Sequence, residues 1–344
     1  MQLSVVVRSR NEADRLRLTL ASLQAQTVQP EVLVVNDGST DHTPAVLAEV
    51  MGTLRLRIVT HSFPLGRSHA SNAGAACASS EILLFLDGDT LAAPNLAERH
   101  LAAHRDFPNL IGRGETYHVR KTRFLKDPES ATPQPGHEER LARMKPEERD
   151  RSRVTKRQIL EDFSSVDRSA EPGVYPGADP RRLYELEMDA LNNHTDCPVL
   201  WAAASGSNLS VRRGHFEKVG GFDPDIDINE HRELALRLCQ SGDRMRAVSG
   251  ARTYHLTHRT GWRDPLQDLD WERTFLERHP IAAVKLLSVF WASLSAGDLV
   301  PPAARIASLP ALAAASRSES PIDYEEIRRK IRAPRVTARQ ATEL

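Results

Sequence analysis

Four short apolar runs near the start of the chain, each followed by a helical pattern or a turn, constrain it more than any other feature. They are LSVVV at 3–7, EVLVVND at 31–37, LRLRIVTH at 54–61 and the strand within EILLFLDGDT at 81–90. Runs that are apolar almost throughout are buried on both faces, and the helices between them supply the crossovers that parallel pairing needs. The predicted fold class is therefore α/β, a mainly parallel sheet with helices on both faces.

The intervening segments carry helix signals. Leu16, Leu20 and Leu23 recur at i, i+4 and i+7 behind Asn11, a candidate N-cap. The turn Asp37-Gly38-Ser39-Thr40-Asp41 leads to Thr43 as the expected N-cap and Pro44 as the first helical residue. Pro64 and Gly66 precede an alanine-rich helix expected over 68–79. In such a sheet ligands lie beyond the carboxyl ends of the strands, where Ser9, Asp37 and Asp87 fall.

The fourth run ends in Asp87-Gly88-Asp89. In an extended backbone residues i and i+2 share a side, so the two carboxylates can converge on one cation, with Gly88 permitting a tight turn. Carboxylate oxygens suit Mg²⁺ or Mn²⁺. Alone, the same tripeptide also reads as a solvated turn after a strand.

Composition narrows the partners. Lys plus Arg and Asp plus Glu both total 46 in 344 residues, so no basic excess argues for nucleic acid. The three cysteines, Cys77, Cys197 and Cys239, are widely spaced and odd in number, which fits reduced thiols rather than a disulfide framework. MQLSVVVRSR enters a strand at once without a signal-peptide pattern, and a cytoplasmic location is expected. The apolar run IAAVKLLSVFWASL at 281–294 is short of the roughly 20 residues a bilayer span needs. It reads as a packed helix, with peripheral membrane contact through an interfacial helix as the alternative.

Several segments in order resemble the family 2 glycosyltransferases of GT-A fold. SVVVRSRNE at 4–12 is similar to the family's first strand and turn, and VLVVNDGSTD at 32–41 to its second. SHASNAG with LLFLDGDT resembles the third helix and the DXD metal motif. LWAAASGSNLSVRRGHFEKVGGFDPDI at 200–226 resembles the acceptor-side segment, and NEHRELALRL with Gly242 the helix of the catalytic base. The fold this implies is a GT-A type, Rossmann-like sheet carrying a charged insertion and a helical C-terminal extension.

The resemblance implies residue roles. Asp37 matches the carboxylate that accepts from the nucleotide base, with an Asx-turn as its other reading. Ser9 and Glu12 match positions lining the nucleotide pocket, although Glu12 reads equally as a first-turn helix acid. Arg67 is placed to face the diphosphate, where the family often has an arginine at the position of Ser71. Asp89 would bind the cation, and Asp87 the ribose or the metal through water. His255 and, after it, His258 in TYHLTHRT are the further metal ligands expected.

The base is where the sequence departs from the family. The usual Glu-Asp pair reads Glu230-His231. Asn229 can cap the helix, and Glu230, Leu234 and Leu238 share one stripe, which aims the acid inward. Three readings stand: Glu230 is the base, His231 is the base, or the site has lost catalysis. Asp225, Asp227 and Glu233 read as solvent-facing charges.

The expected organisation is a nucleotide-sugar-binding half at 1–118, a charged insertion at 119–180, an acceptor-side half at 181–262, and a helical extension with polar tail at 263–344. The insertion, Pro-rich and then of mixed charge, reads as a solvated helix or a partly disordered lid. The expected function is metal-dependent transfer of a sugar from a nucleotide-sugar donor, a UDP-sugar first, to an unidentified acceptor nucleophile by inverting displacement. The cofactor would be Mn²⁺ or Mg²⁺. The alternative is a catalytically degraded nucleotide-sugar-binding protein. A nucleotidyltransferase ranks last, because SVVVRSRNEADR lacks a glycine-rich phosphate loop.

Overall fold

Along the first strand, β1 (Leu3–Ser9), the side chains alternate between two cores. Val5 and Val7 join Leu16, Leu20 and Leu23 of α1 (Ala13–Gln24) on one face, and Val6 joins Ala75 on the other. Burial on both faces is what the unbroken apolar runs require. The computed structural model describes residues 1–174, 179–258, 265–266, 270–294, 299–317 and 322–332.

The chain continues through β2 (Glu31–Asp37), α2 (Thr43–Val50), β3 (Leu56–His61), α3 (Arg67–Cys77), β4 (Ile82–Asp87), β5 (Thr90–Ala92), α4 (Leu96–Asp106) and β6 (Leu110–Val119). After an inserted segment come α9 (Pro180–Asn193), β10 (Leu209–Arg212), α10 (Arg213–Lys218), α11 (Glu230–Gln240) and β11 (Arg244–Leu256). The sheet runs β3-β2-β1-β4-β10-β6-β11-β5. Strands β3, β2, β1, β4, β6 and β11 point the same way, and β10 and β5 oppose them. Strand β1 and helix α3 pack closely: a Cβ on Gly74 would lie 2.5 Å from Val6 Cγ1.

The capping devices differ from the sequence reading. Asn11 lies before the α1 N-cap, Glu12, with φ 55°, and its Oδ1 accepts from Thr40 N at 2.7 Å. The first-turn amide of Ala13 donates instead to Asp41 Oδ2 at 3.0 Å. Thr43 is already helical, with Asp41 Oδ1 accepting from its amide at 3.0 Å. One carboxylate thus serves two helix starts, a long-range contact that local spacing does not reveal.

The insertion folds as a series of short elements on the main domain. It comprises the hairpin β7 (Leu125–Asp127) and β8 (Thr132–Pro133), helices α5 (Glu138–Ala142), α6 (Pro146–Arg151), α7 (Lys156–Glu161) and α8 (Phe163–Asp167), and β9 (Glu171–Pro172) beside β6. Val154, Ile159 and Val166 pack with Leu18 of α1 and Leu256 of β11. Sparse apolar residues therefore suffice to dock the segment, because each meets the domain rather than its own helix.

Beyond β11 lie α12 (Asp270–Arg278), α13 (Ala282–Lys285), α14 (Leu287–Leu294), α15 (Leu309–Ala315) and α16 (Tyr324–Arg332). The 281–294 run forms α13 and α14, with every residue of α14 buried. Among the described residues no helix is long and apolar enough to cross a membrane. The polar tail, 333–344, and Arg259 and Thr260 lie outside the described residues.

Candidate active site

The carboxyl ends of β1, β4 and β11 open on one cavity of about 850 Å³. Ser9, Glu12, Asp37, Arg67, Asp87, Asp89, Glu230, His231, His255 and His258 all line it. Two groups of side chains divide this wall.

The first group is Asp89, His255 and His258. Their ligand atoms lie within 4.8 Å of one another. His258 Nε2 is 2.8 Å and His255 Nε2 3.2 Å from Asp89 Oδ2. Backbone pairing builds the cluster: His255 pairs with Thr90 across β11 and β5, and Leu256 N donates to Asp89 O at 2.9 Å. Burial pushes the Asp89 carboxyl up, but the two imidazoles outweigh it and hold the group well below its usual range. Burial lowers His258 in spite of Asp89. One carboxylate oxygen and two imidazole nitrogens this close together are donors that suit a divalent cation, so the donor set fits one.

Glu12 adds a further carboxyl group to this corner. Burial, then Asp89 and Asp87, raise its carboxyl well above the ordinary value. Gly88 is required here for close approach: a Cβ would lie 2.7 Å from Ser9 Oγ and 3.0 Å from Glu12 Oε2. Ser9 Oγ is buried without a hydrogen-bond partner among the described residues.

Asp87 does not enter the metal-capable cluster. Residues 88 and 89 form a turn, so the i, i+2 alternation expected of a strand is broken between the two aspartates. Asp87 Oδ1 instead accepts from Arg8 Nε at 2.6 Å. Arg8 Nη1 donates to Glu230 Oε1, also at 2.6 Å. Burial disfavours the Arg8 charge, but Asp87 and Glu230 together outweigh it and raise its pKa. Arg8, Asp87 and Glu230 make up the second group.

Glu230 opens α11 with its side chain 1% exposed. Burial raises its carboxyl, and Arg8 and His231 more than reverse this, holding it well below the usual range. Its Oε2 has no hydrogen-bond partner among the described residues. Asn229 is the N-cap position, at φ 64°, without a side-chain cap bond; its Oδ1 accepts from Arg232 Nη1 at 2.7 Å. Arg232 Nη1 also lies 2.9 Å from His231 Nε2. Arginine only donates, so His231 Nε2 is the acceptor and Nδ1 carries the proton, 3.6 Å from Glu230 Oε2.

Asp37 and Arg67, read from the sequence as donor-binding residues, make contacts within the chain. Asp37 accepts from Leu65 N and Gly66 N, each at 2.9 Å, and lies 2.7 Å from His61 Nδ1, so it holds the loop after β3. Arg67 begins α3, and its amide donates to Asp227 Oδ1 at 2.6 Å. Asp227 is therefore part of the cavity wall rather than a solvent-facing charge. Glu233, expected in solvent, is buried and accepts from Arg237 Nη2 at 2.6 Å, with His279 Nε2 at 2.8 Å. Asp225 is exposed and paired with Arg278.

Sequence reasoning overlooked Arg8 and Arg15. Arg15 is buried and donates to Leu125 O at 2.5 Å, Lys126 O at 3.0 Å and Leu256 O at 3.3 Å, tying the insertion to the end of β11. Both had a signal: an arginine inside an apolar strand, or among the leucines of a core helix, must be paired when buried.

Residues 4–163 match the family model described as glycosyl transferase family 2. The chain is 31% identical over 309 residues to validoxylamine A glucosyltransferase of Streptomyces hygroscopicus subsp. limoneus, covering 86% of this chain and 60% of that protein. It is 27% identical over 269 residues to the uncharacterized glycosyltransferase YfnE of Bacillus subtilis, covering 75% of this chain and 65% of that one. The chain thus spans less than two thirds of the length of these relatives. The crystal structure of S. aureus TarS aligns with a TM-score of 0.53 at 14% identity, covering 86% of this chain and 44% of TarS. TarS 1–349 in complex with UDP-GlcNAc aligns with a TM-score of 0.51 at 16% identity, covering 83% and 67%. At those identities the likeness speaks for the fold, which is the GT-A type. With the family model on the strands that build the cavity and relatives matching most of its length, this chain belongs to glycosyl transferase family 2.

Proposed function

We propose that the chain transfers a sugar from a nucleotide-sugar donor to an acceptor hydroxyl by direct displacement with inversion, and that it needs a divalent metal. The observation that carries this reading is the convergence on one cavity of the Asp89–His255–His258 cluster and of Glu230, a buried carboxylate. A divalent cation held by Asp89, His255 and His258 would offset charge on the departing nucleoside diphosphate. Two imidazoles with one carboxylate favour Mn²⁺ over Mg²⁺.

Glu230 is the base in this reading. His231 offers a proton on Nδ1 and has its Nε2 lone pair engaged by Arg232, so it is a donor rather than an acceptor. The acceptor oxygen forms its bond to the anomeric carbon as the bond from that carbon to the phosphate oxygen breaks, and the electron pair leaves on the diphosphate. The hydroxyl proton passes to the Glu230 carboxylate. A weakly basic carboxylate suffices, because the attacking oxygen becomes strongly acidic as its new bond forms. Ser9 and Glu12 lie on the donor side, Arg67 faces the diphosphate, and Asp87 the ribose. Asp37 orders the loop beside the base through the amides of Leu65 and Gly66. A UDP-sugar is the first donor proposed.

The test is a panel of nucleotide-sugars with Mn²⁺, following nucleoside diphosphate release with and without EDTA beside calorimetric donor binding. Release that EDTA abolishes supports the reading, and the preferred donor names the sugar. Metal-dependent binding without turnover towards water or any acceptor would favour a nucleotide-sugar-binding protein, the reading that His231 in place of aspartate motivates. Absence of donor binding would remove both.

A further inference from the structure

Arg8 has no part in the proton or sugar transfer just described, yet it joins the two sides of the cavity. It stands beside Asp87 in the parallel pairing of β1 and β4. Its Nε bond to Asp87 and Nη1 bond to Glu230 are both 2.6 Å. A Cβ on Gly206 would lie 3.0 Å from Arg8 Nη2, 3.1 Å from His231 Nδ1 and 3.6 Å from Glu230 Oε1. The bare glycine therefore keeps space open in front of all three groups.

We propose that Arg8 is a positioning residue: its planar fork fixes the Glu230 carboxylate through Oε1, while the same guanidinium holds Asp87 on the donor side. The inference rests on the transferase reading of the cavity. The fork sets two bond directions at once, which a lysine ammonium does not. It also keeps a cation between two carboxylates. The other charged groups facing Glu230 are Arg67 from the start of α3, and His231 and Arg232 from α11 itself.

The experiment separates charge from direction. Protein labelled with ¹³C at the glutamate carboxyl is titrated without substrate as wild type, Arg8→Lys and Arg8→Gln, with Glu230→Gln used to assign the Glu230 resonance. The wild-type resonance is expected to stay ionised to the lowest pH at which the fold survives. In Arg8→Gln it titrates at least about one pH unit higher, since one unit corresponds to a modest change in charge environment. In Arg8→Lys it stays near wild type, while kcat falls at least about tenfold and donor KM changes less than about threefold, the signature of lost orientation. A Glu230 titration unmoved in Arg8→Gln, or wild-type kcat in Arg8→Lys, overturns the inference. Should Arg8→Gln not fold, Arg8→Lys decides through kcat. A wild-type protein that binds no nucleotide-sugar fails the transferase reading instead, and the substrate-free titration still reads the clasp.

Discussion

Glu230 Oε1 accepts from Arg8 Nη1 at 2.6 Å across 222 positions of sequence. The contact joins the first strand to the start of α11. Oε2 lies 3.6 Å from His231 Nδ1 and has no hydrogen-bond partner among the described residues. Replacing that oxygen is the most direct challenge to the proposed base.

Glu230→Gln keeps the shape and the Oε1 contact to Arg8 but removes the proton acceptor. Turnover is expected to fall about 10²–10⁴-fold, the span of general-base contributions, with donor affinity little changed. Steady-state kinetics beside donor calorimetry reads this, and turnover above about a tenth of wild type would assign the base elsewhere.

Asp89→Ala removes the oxygen that both imidazoles face. Mn²⁺ affinity, measured by direct titration of the metal without donor, should weaken at least about tenfold. His258→Ala should act in the same direction. Wild-type Mn²⁺ affinity in both variants would move the metal away from this cluster.

Arg15→Ala should loosen the insertion. Three carbonyls, of Leu125, Lys126 and Leu256, lose their donor, and leaving such groups unpaired costs about 1–3 kcal/mol each when they remain buried. Faster protease cleavage within 119–174 and weaker donor binding are expected, because Lys126 and Gln134 of the insertion line the cavity. Cleavage at the wild-type rate would mean that α7 and α8 suffice to dock the segment.

Acid should destabilise the fold well above the carboxylate range. Burial pushes His100 down to about 4 and His104 down to about 3; His100 meets Ser210 and Asn208, and His104 meets Ser210. The unfolded chain takes up these protons near pH 6.5, before the folded chain does, so stability falls as pH drops from 6.5 towards 4. The shift of His100 alone corresponds to roughly 3 kcal/mol at the acid end. Urea unfolding at pH 7.5 and 5 measures the slope. His100→Gln should flatten it, and a slope unchanged by that substitution would assign it to other groups.

Much of the sheet was legible because burial on both faces writes a local signature: LSVVV, EVLVVND and LLFLD are mostly apolar, and each became a strand of the parallel set. Resemblance to the family named candidate site residues, and Ser9, Glu12, Asp37, Arg67 and Asp87 line one cavity with Asp89, Glu230, His231, His255 and His258. Their partners were not legible. Whether Asp87 met a metal or a guanidinium depended on a turn at 88–89 and on the β1–β4 register, neither of which one residue's neighbours specify.

The sequence by itself determined the first four strands and the helices between them, because hydrophobic periodicity and turn chemistry act within a few positions. Only the tertiary structure decided how the charges pair. Arg8 with Glu230, Arg15 with the insertion, and His231 with Arg232 as acceptor all depend on ångström-scale distances between elements set by sheet register and helix packing. Electrostatics and hydrogen bonding fall off over that same scale, so the chemistry of the site is fixed where the chain meets itself.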